Sequence, residues 1–472
     1  MAESERVGDR VGREVRARHI VAGVLVVASL VTAVVVNLTT TGDVGLWGLL
    51  PIAVYAVLVL LELDVVLSTG AALLVALAIS GSGLVETGDM MAESMGSFIA
   101  VVGLIIMLGG GLGRVAQETG AAPTVVRALL RRTGVSGSIR AQIGIMLGST
   151  VIVGALGTLA GGNAILAPIV IPAAASVGRS KPSVAVMIHT AGTAGLITGP
   201  FTPPVVTIMG AADITYTQYL FSAGLPMAIV VWAVGFVMAR VIHKRTADDL
   251  YSADEVGDFD GLADAKPHEK RAAAGFVGSL VVMAVVGIYL DAGYTYAIVV
   301  MIVTAVVTSV MGGMRPTSAL QSFYEGASQL LWLFIVFWLF NPLLVIMEES
   351  GAYDQVLSGL QPVLEDSGPW AFLMLALLLG WIGVAGAAVA QVVLIDKLLW
   401  PLAAGLGIPP GVWAAALLGG SQIDWFGPFP NADMIGQMGL ARSANLRMML
   451  FNGWTVMAAT LAMFTVYFAV MA

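Results

Sequence analysis

The sequence predicts an all-α polytopic membrane protein made of two inverted repeats, each with a re-entrant helical hairpin and a broken transmembrane helix. Three observations lead there. Hydrophobic residues make up 58% of the 472 and charged residues only 11%, too little charge to cover a soluble surface. Apolar runs of about 17 to 25 residues, the length that crosses a bilayer, recur throughout. Two of these runs are interrupted in matching places, by "TGPFTPPVVTIMG" (198–210) and by "DWFGPFPNADMIG" (424–436).

Composition also excludes classes. There is no cysteine, so disulfides and thiolate metal sites are ruled out. His19, His189, His243 and His268 are scattered without metal-ligand spacing, and no phosphate-binding GxxxxGK[ST] occurs. No nucleophile–base pair or metal motif indicates an enzyme, and no cofactor is expected beyond a coupling ion. The net charge of -8 comes largely from one acidic loop and gives no reason to expect nucleic acid.

The elements follow in order. An arginine-rich start, "MAESERVGDRVGREVRARH", precedes an apolar run at 20–36 with no small-residue cleavage site, which reads as an uncleaved first helix within a 1–45 segment. Further spans are expected near 46–63, 65–80, 97–113, 184–212, 221–239, 272–290, 294–311, 327–347, 411–436 and 450–470. Arg6, Arg10, Arg13, Arg16 and Arg18 place the N-terminus in the cytoplasm of a multi-pass inner-membrane protein. The basic loops at 114–140, 240–271 and 312–326 then fall on the same side, and the acidic loops at 81–96 and 213–220 on the other. Arg140 and the Arg179/Lys181 pair share a side only if 141–175 enters and returns as a hairpin. Its glycine-rich middle, "GALGTLAGGNA", suits a turn better than a helix interior. The acidic stretch 246–271 reads as a solvated linker between repeat 1 (46–245) and repeat 2 (272–472).

The halves align on themselves. Shifted by 228 residues, Pro182 meets Pro410, Gly192 meets Gly420, and Gly199-Pro200-Phe201 meets Gly427-Pro428-Phe429. Slightly larger offsets pair Gly154/Gly157 with Gly383/Gly386, and "ETGA" (118–121) with "ESGA" (349–352). Each half therefore has an amphipathic segment (121–133, 352–365), a hairpin (141–175, 370–401) and a broken helix (184–212, 411–436). The span 97–113 runs outside to inside and its counterpart 327–347 the reverse, so the repeats are inverted. Inverted repeats with broken helices mark secondary transporters, because unwound backbone survives at membrane depth only where it lines a cavity or is buried in protein.

The stretches "GTLAGGNAILAPIVIP" with "TAGTAGLITGPFTPPVVTIMG", and "GVAGAAVAQVVLIDKLLWPLAAGLGIPP" with "GGSQIDWFGPFPNADMIG", resemble hairpins and broken helices of the ion transporter superfamily. That superfamily includes divalent-anion/sodium symporters, citrate–proton symporters and TRAP transporter large subunits. The resemblance implies a dimeric elevator carrying an organic anion with Na+ or H+. The Ser-Asn-Thr tips of the divalent-anion symporters are absent; the matching places hold Gly161-Gly162-Asn163 and Ala390-Gln391.

The candidate substrate residues are Gly161, Gly162 and Asn163 at the first tip, Thr198, Gly199 and Thr202 at the first break, and Gln391, Ser421 and Asn431 in the second half. Asn163 can bind a ligand or cap a helix. The threonines and Ser421 can coordinate an ion or substrate, or satisfy backbone freed at a break. Candidates for ion coupling are Asp424, Thr193 and His189. Asp424 lies inside an apolar stretch, where an ionisable group is costly and points to function, though an interfacial or structurally paired carboxylate fits too. His189 suits a proton relay or a packed neutral ring. Asp433 is placed near an end of the site. The reading is a secondary active transporter of a small organic anion, with a Na+/H+ antiporter or a TRAP-like permease subunit as alternatives.

Overall fold

The computed structural model describes residues 2–61, 63–134, 137–252, 255, 264–365, 368–382 and 388–471. In chain order the helices are α1 (Ala2–Thr39), α2 (Leu50–Leu60, entered by a 3-10 turn), α3 (Val65–Ser80), α4 (Leu84–Ser94), α5 (Phe98–Glu118), α6 (Ala121–Thr133), α7 (Ser138–Leu156), α8 (Leu159–Ser176), α9 (Lys181–Leu196), α10 (Pro203–Ala211) and α11 (Tyr216–Arg245). The second half holds α12 (Pro267–Tyr289), α13 (Tyr296–Met311), α14 (Pro316–Ser328), α15 (Leu331–Glu349), α16 (Ala352–Glu365), α17 (Gly368–Ile382), α18 (Ala388–Gly405), α19 (Pro410–Gly420), α20 (Ile423–Phe426), α21 (Ala432–Leu440) and α22 (Leu446–Met471). Among the described residues, 8 helices are long and apolar enough to cross a membrane.

The element order of α2–α11 recurs in α12–α22, with the one-turn α20 added at the second break. Their ends recur too. Left-handed glycines terminate α3 and α13 at Gly81 and Gly313, precede α6 and α16 at Gly120 and Gly351, and follow α8 and α18 at Gly178 and Gly407. Of the three non-glycine left-handed residues among those described, Asp213 after α10 and Arg442 after α21 match, and Asp291 after α12 has no counterpart. A helix that stops on a left-handed residue satisfies its last carbonyls and sets the exit angle, so like stops in like order give like turns.

Two segments expected as loops, 81–96 and 312–326, contain the amphipathic helices α4 and α14. Their polar content hid them from a search for membrane-length apolar runs. The arms α7 and α8 have 19 and 18 residues, about 27–29 Å at 1.5 Å per residue, so each is long enough to cross.

The chain divides into two compact units. The first comprises residues 1–103 and 332–366. Here Ala22, Val54 and Leu58 form one buried cluster, and Ala33, Val75 and Ile79 another. Gly45 N–H donates to Ser350 O (2.9 Å) and Leu46 N–H to Gln355 Oε1 (2.7 Å), tying the start of repeat 1 to α16 and the end of α15.

The second unit comprises 104–331 and 367–472 and holds both hairpins and both broken helices. At its centre is α9, buried at every residue from Pro182 to Leu196. Among its buried residues, Ser183, Thr190 and Thr193 donate to backbone carbonyls, which lets a helix with polar side chains sit in the core.

Candidate functional site

The first hairpin turns at Gly157-Thr158. Gly157 is left-handed (φ +72) and closes α7, and Thr158 is the extended N-cap of α8. The turn thus precedes the expected tip, and Gly161, Gly162 and Asn163 lie in the first turns of α8. The left-handed stop needed glycine at 157; the paired glycines answer a packing demand instead, since a Cβ on Gly162 would stand 2.9 Å from Val153 Cγ2. At the open end, Arg179 Nη2 donates to Ser138 O (3.1 Å) and Gln142 Oε1 (2.7 Å), so both ends of the hairpin meet.

The arm α7 lies backbone-to-backbone on α9. A Cβ on Gly195 would stand 2.1 Å from Thr150 O, and one on Gly199 would stand 2.2 Å from Gly154 O. Gly195 and Gly199 form a small-xxx-small pair, the device that lets helices approach closely in lipid. Thr150 Oγ1 donates to Ala191 O (2.9 Å) across the same contact.

Asn163 is completely buried. Its Nδ2 donates to Ile188 O (2.8 Å) and Gln437 Oε1 (2.7 Å), and its Oδ1 accepts from Ser149 Oγ (2.7 Å). One amide thus joins both hairpin arms, the first broken helix and α21. The structure places Asn163 as an interior tie. Gln437, which the sequence reading missed, is its partner across the two halves. A glutamine in an otherwise apolar helical stretch was the available signal.

At the first break, the hydroxyls satisfy backbone. Thr193 donates to His189 O (2.9 Å), Thr198 to Ala194 O (2.7 Å), and Thr202 to Leu196 O (2.5 Å) with Gly199 O at 3.0 Å. Tyr219 and Tyr216 donate to Ile197 O (2.9 Å) and Thr198 O (2.7 Å). The carbonyls from Leu196 to Gly199 are all engaged. The first two residues of α10 are Pro203 and Pro204, which carry no N–H, so this half-helix offers few donors to an anion.

The second break differs. Asn431 Nδ2 donates to Trp425 O (3.2 Å) and Ile423 O (3.4 Å), while its Oδ1 caps α21 at Met434 N (2.8 Å). Ser421 donates to Leu417 O (2.8 Å), and Thr460 Oγ1 donates to Gln422 Oε1 (2.6 Å). Asp424 is half-buried on α20. Asp433 lies in the first turn of α21, within electrostatic reach of Asp424. His189 is fully buried, edge-on to Phe426 with centroids 5.1 Å apart. The Trp425 backbone is within reach of its ring but outside good hydrogen-bond geometry.

In the second hairpin, Gly383 and Gly386 lie outside the described residues, as does the side chain of Ala390. Gln391 is in the first turn of α18, matching Asn163 in α8, and its Nε2 donates to Gly380 O (2.5 Å). Asp396 accepts from Trp413 Nε1 (2.7 Å) and is thereby tied to α19.

Two cavities touch the predicted residues. One of about 350 Å³ opens beside the first break against Thr198, Gly199 and Phe201, with α12 supplying Phe276 and Leu280. It is mainly apolar. The other, about 320 Å³, lies at the first hairpin turn and is lined by Thr158, Gly161, Arg114, Gln117 and Gln329. The Thr158 side chain makes no capping bond, and the first N–H groups of a helix have no intrahelical acceptor. The start of α8 therefore presents partial positive charge to this cavity. Among the described residues no group of three acidic or histidine side chains could hold a metal.

Hairpins, broken helices and, among the described residues, 8 membrane-length helices define a multi-pass membrane protein. The family described as DcuC, C4-dicarboxylate anaerobic carrier, matches residues 19–470, and the chain belongs to that family. No individually curated protein matches it. The chain is similar in fold to the YdaH transporter of Alcanivorax borkumensis, with a TM-score of 0.58 at 14% identity over 82% of this chain and 89% of that one.

Proposed function

We propose that this protein is a secondary active transporter that moves a small C4-dicarboxylate across the cell membrane by alternating access, coupled to Na+ or H+. The family match over 19–470 carries the substrate class. The architecture is consistent with it: two halves of like order, each with a hairpin and a broken helix, fit inverted repeats moving as an elevator in a homodimer. A dianion needs compensating charge to enter a low-dielectric passage. In this reading the start of α8 receives a carboxylate, and a cation or proton taken up at Asp424 and Asp433 offsets the remainder. The hairpin residue Asn163 and the break residues Thr193, Thr198 and Thr202 act as supports, since their hydrogen-bonding groups are already engaged.

Uptake into proteoliposomes tests this. Labelled succinate should accumulate under an imposed sodium or proton gradient. Asp424→Asn should cut gradient-driven uptake by about tenfold or more while leaving counterflow exchange measurable. The proximity of Asp433 to Asp424 favours a second reading, a Na+/H+ antiporter. A sodium gradient that shifted internal pH with no carboxylate movement would replace the first reading with that one.

A further inference from the structure

The cavity at the first hairpin turn carries an arginine that the sequence reading left unused. Arg114, near the end of α5, lines it with Gln117, Thr158, Gly161 and Gln329. Two carboxylates occupy one end of the guanidinium: Arg114 Nη2 lies 2.8 Å from Glu118 Oε1 and 3.3 Å from Glu325 Oε2. On the side edge formed by Nε and Nη2, the Nε is buried without a hydrogen-bond partner. A buried guanidinium donor left unpaired carries a desolvation cost that an acceptor would relieve.

The two glutamates are also held by others. Glu118 Oε2 accepts from Ser322 Oγ (2.5 Å), and Glu325 Oε1 accepts from Gln321 Nε2 (3.2 Å). Neither carboxylate would be left without a donor if Arg114 turned away. Two negative charges on one positive charge also leave the resting cluster net negative, which repels an anion. An arginine shared in this way suits partner exchange, because a planar guanidinium binds a carboxylate best through two parallel N–H bonds.

We propose that Arg114 is a substrate-binding residue, that it takes a carboxylate of the transported anion on the edge formed by its unpartnered Nε and its Nη2, and that Glu118 and Glu325 are its resting counter-ions, displaced from Nη2 as the substrate enters. This rests on the transporter reading above and adds a specific residue from α5, outside the hairpins and broken helices. The close packing of α5 on α14 fixes the position: a Cβ on Gly110 would stand 2.7 Å from Gly326 O, one turn from Arg114 and next to Glu325.

Calorimetric titration of the purified full-length protein with succinate, and with butyrate as a single-carboxylate control, tests the assignment. Arg114→Gln should weaken succinate binding by about tenfold or more, with Arg114→Lys intermediate. Glu325→Gln should tighten it several-fold, because it removes a competing charge, and the double variant should be as weak as Arg114→Gln. Size-exclusion profiles establish that each variant is folded. Glu325→Gln, which changes affinity in the opposite direction, keeps the test decisive if Arg114→Gln fails to fold. Wild-type protein that binds succinate, with Glu325→Gln binding it no more tightly or Arg114→Gln binding it equally well, would overturn the role of Arg114 and leave the transporter reading standing. Wild-type protein that binds no C4-dicarboxylate would remove both.

Discussion

At the first break, Leu196, Ile197 and Thr198 each give a carbonyl to a hydroxyl, from Thr202, Tyr219 and Tyr216. At the second, Ile423 and Trp425 share the single amide of Asn431, and two carboxylates lie alongside. Both breaks are spelled Gly-Pro-Phe, and both interrupt a helix in the second compact unit. The first is finished as a neutral joint with its carbonyls from Leu196 to Gly199 engaged. The second keeps ionisable groups at the opening. The same sequence device thus yields a fixed point in one half and a chargeable point in the other.

The largest test of this contrast concerns close approach. Gly195→Ala would put a Cβ 2.1 Å from Thr150 O and should cost about 3 kcal/mol, the upper end for overpacking a well-filled core. Gly436→Ala in α21 has nothing within 4 Å of the new carbon and should stay within about 0.5 kcal/mol. Thermal unfolding in detergent, monitored by circular dichroism, separates them; equal melting temperatures would dissolve the distinction.

Asn163→Ala comes next. It removes three hydrogen bonds and strands Gln437 Oε1 inside the unit, for an expected loss of about 2 kcal/mol. Its counterpart Gln391 donates one bond, to Gly380 O, and Gln391→Ala should cost about 1 kcal/mol or less. If the two variants melted together, the hairpins would be more alike than their contacts indicate.

Tyr219→Phe tests the first joint at a single atom. It frees Ile197 O in a buried site and should lower stability by about 1 kcal/mol, in line with hydrogen bonds inside membrane proteins. Hydrogen exchange at residues 197–202 should rise in this variant, while exchange at 423–431 stays unchanged.

The smallest effect lies in the linker, which touches both broken helices. Lys181 at the start of α9 holds Glu255 (2.7 Å), and Tyr251 OH donates to Ala441 O (2.9 Å) beyond the end of α21. The Lys181 ammonium and Ser252 hold the Glu255 carboxyl down at about 2, below its ordinary 4.5. A depressed carboxylate adds stability above its unfolded value and loses it as pH falls through the folded one. The tie should therefore be intact above pH 4.5 and weaken progressively toward pH 2, and Glu255→Gln should abolish that slope. Limited proteolysis of the 246–271 segment across this range reads it out, with a pH-independent cleavage rate counting against the tie.

Much of this was legible in one dimension. The spans at 65–80 and the amphipathic segments at 121–133 and 352–365 match their helices at both ends, because length, periodicity and glycine stops are local signals. The two Gly-Pro-Phe breaks were legible because proline removes a donor and glycine permits the turn wherever they occur. The roles of the polar residues were not. Thr198, Thr202 and Asn163 have the chemistry of ligands, and only their three-dimensional neighbours reveal that the protein already uses their hydrogen bonds. Gln437 met Asn163 and Arg114 reached the first hairpin's cavity across 274 and more than 40 residues. Composition and local pattern determined that the chain is a membrane protein of two similar halves with broken helices. Which polar groups are engaged and which face a cavity was decided by tertiary packing, because hydrogen-bond satisfaction belongs to pairs of groups and not to residues taken singly.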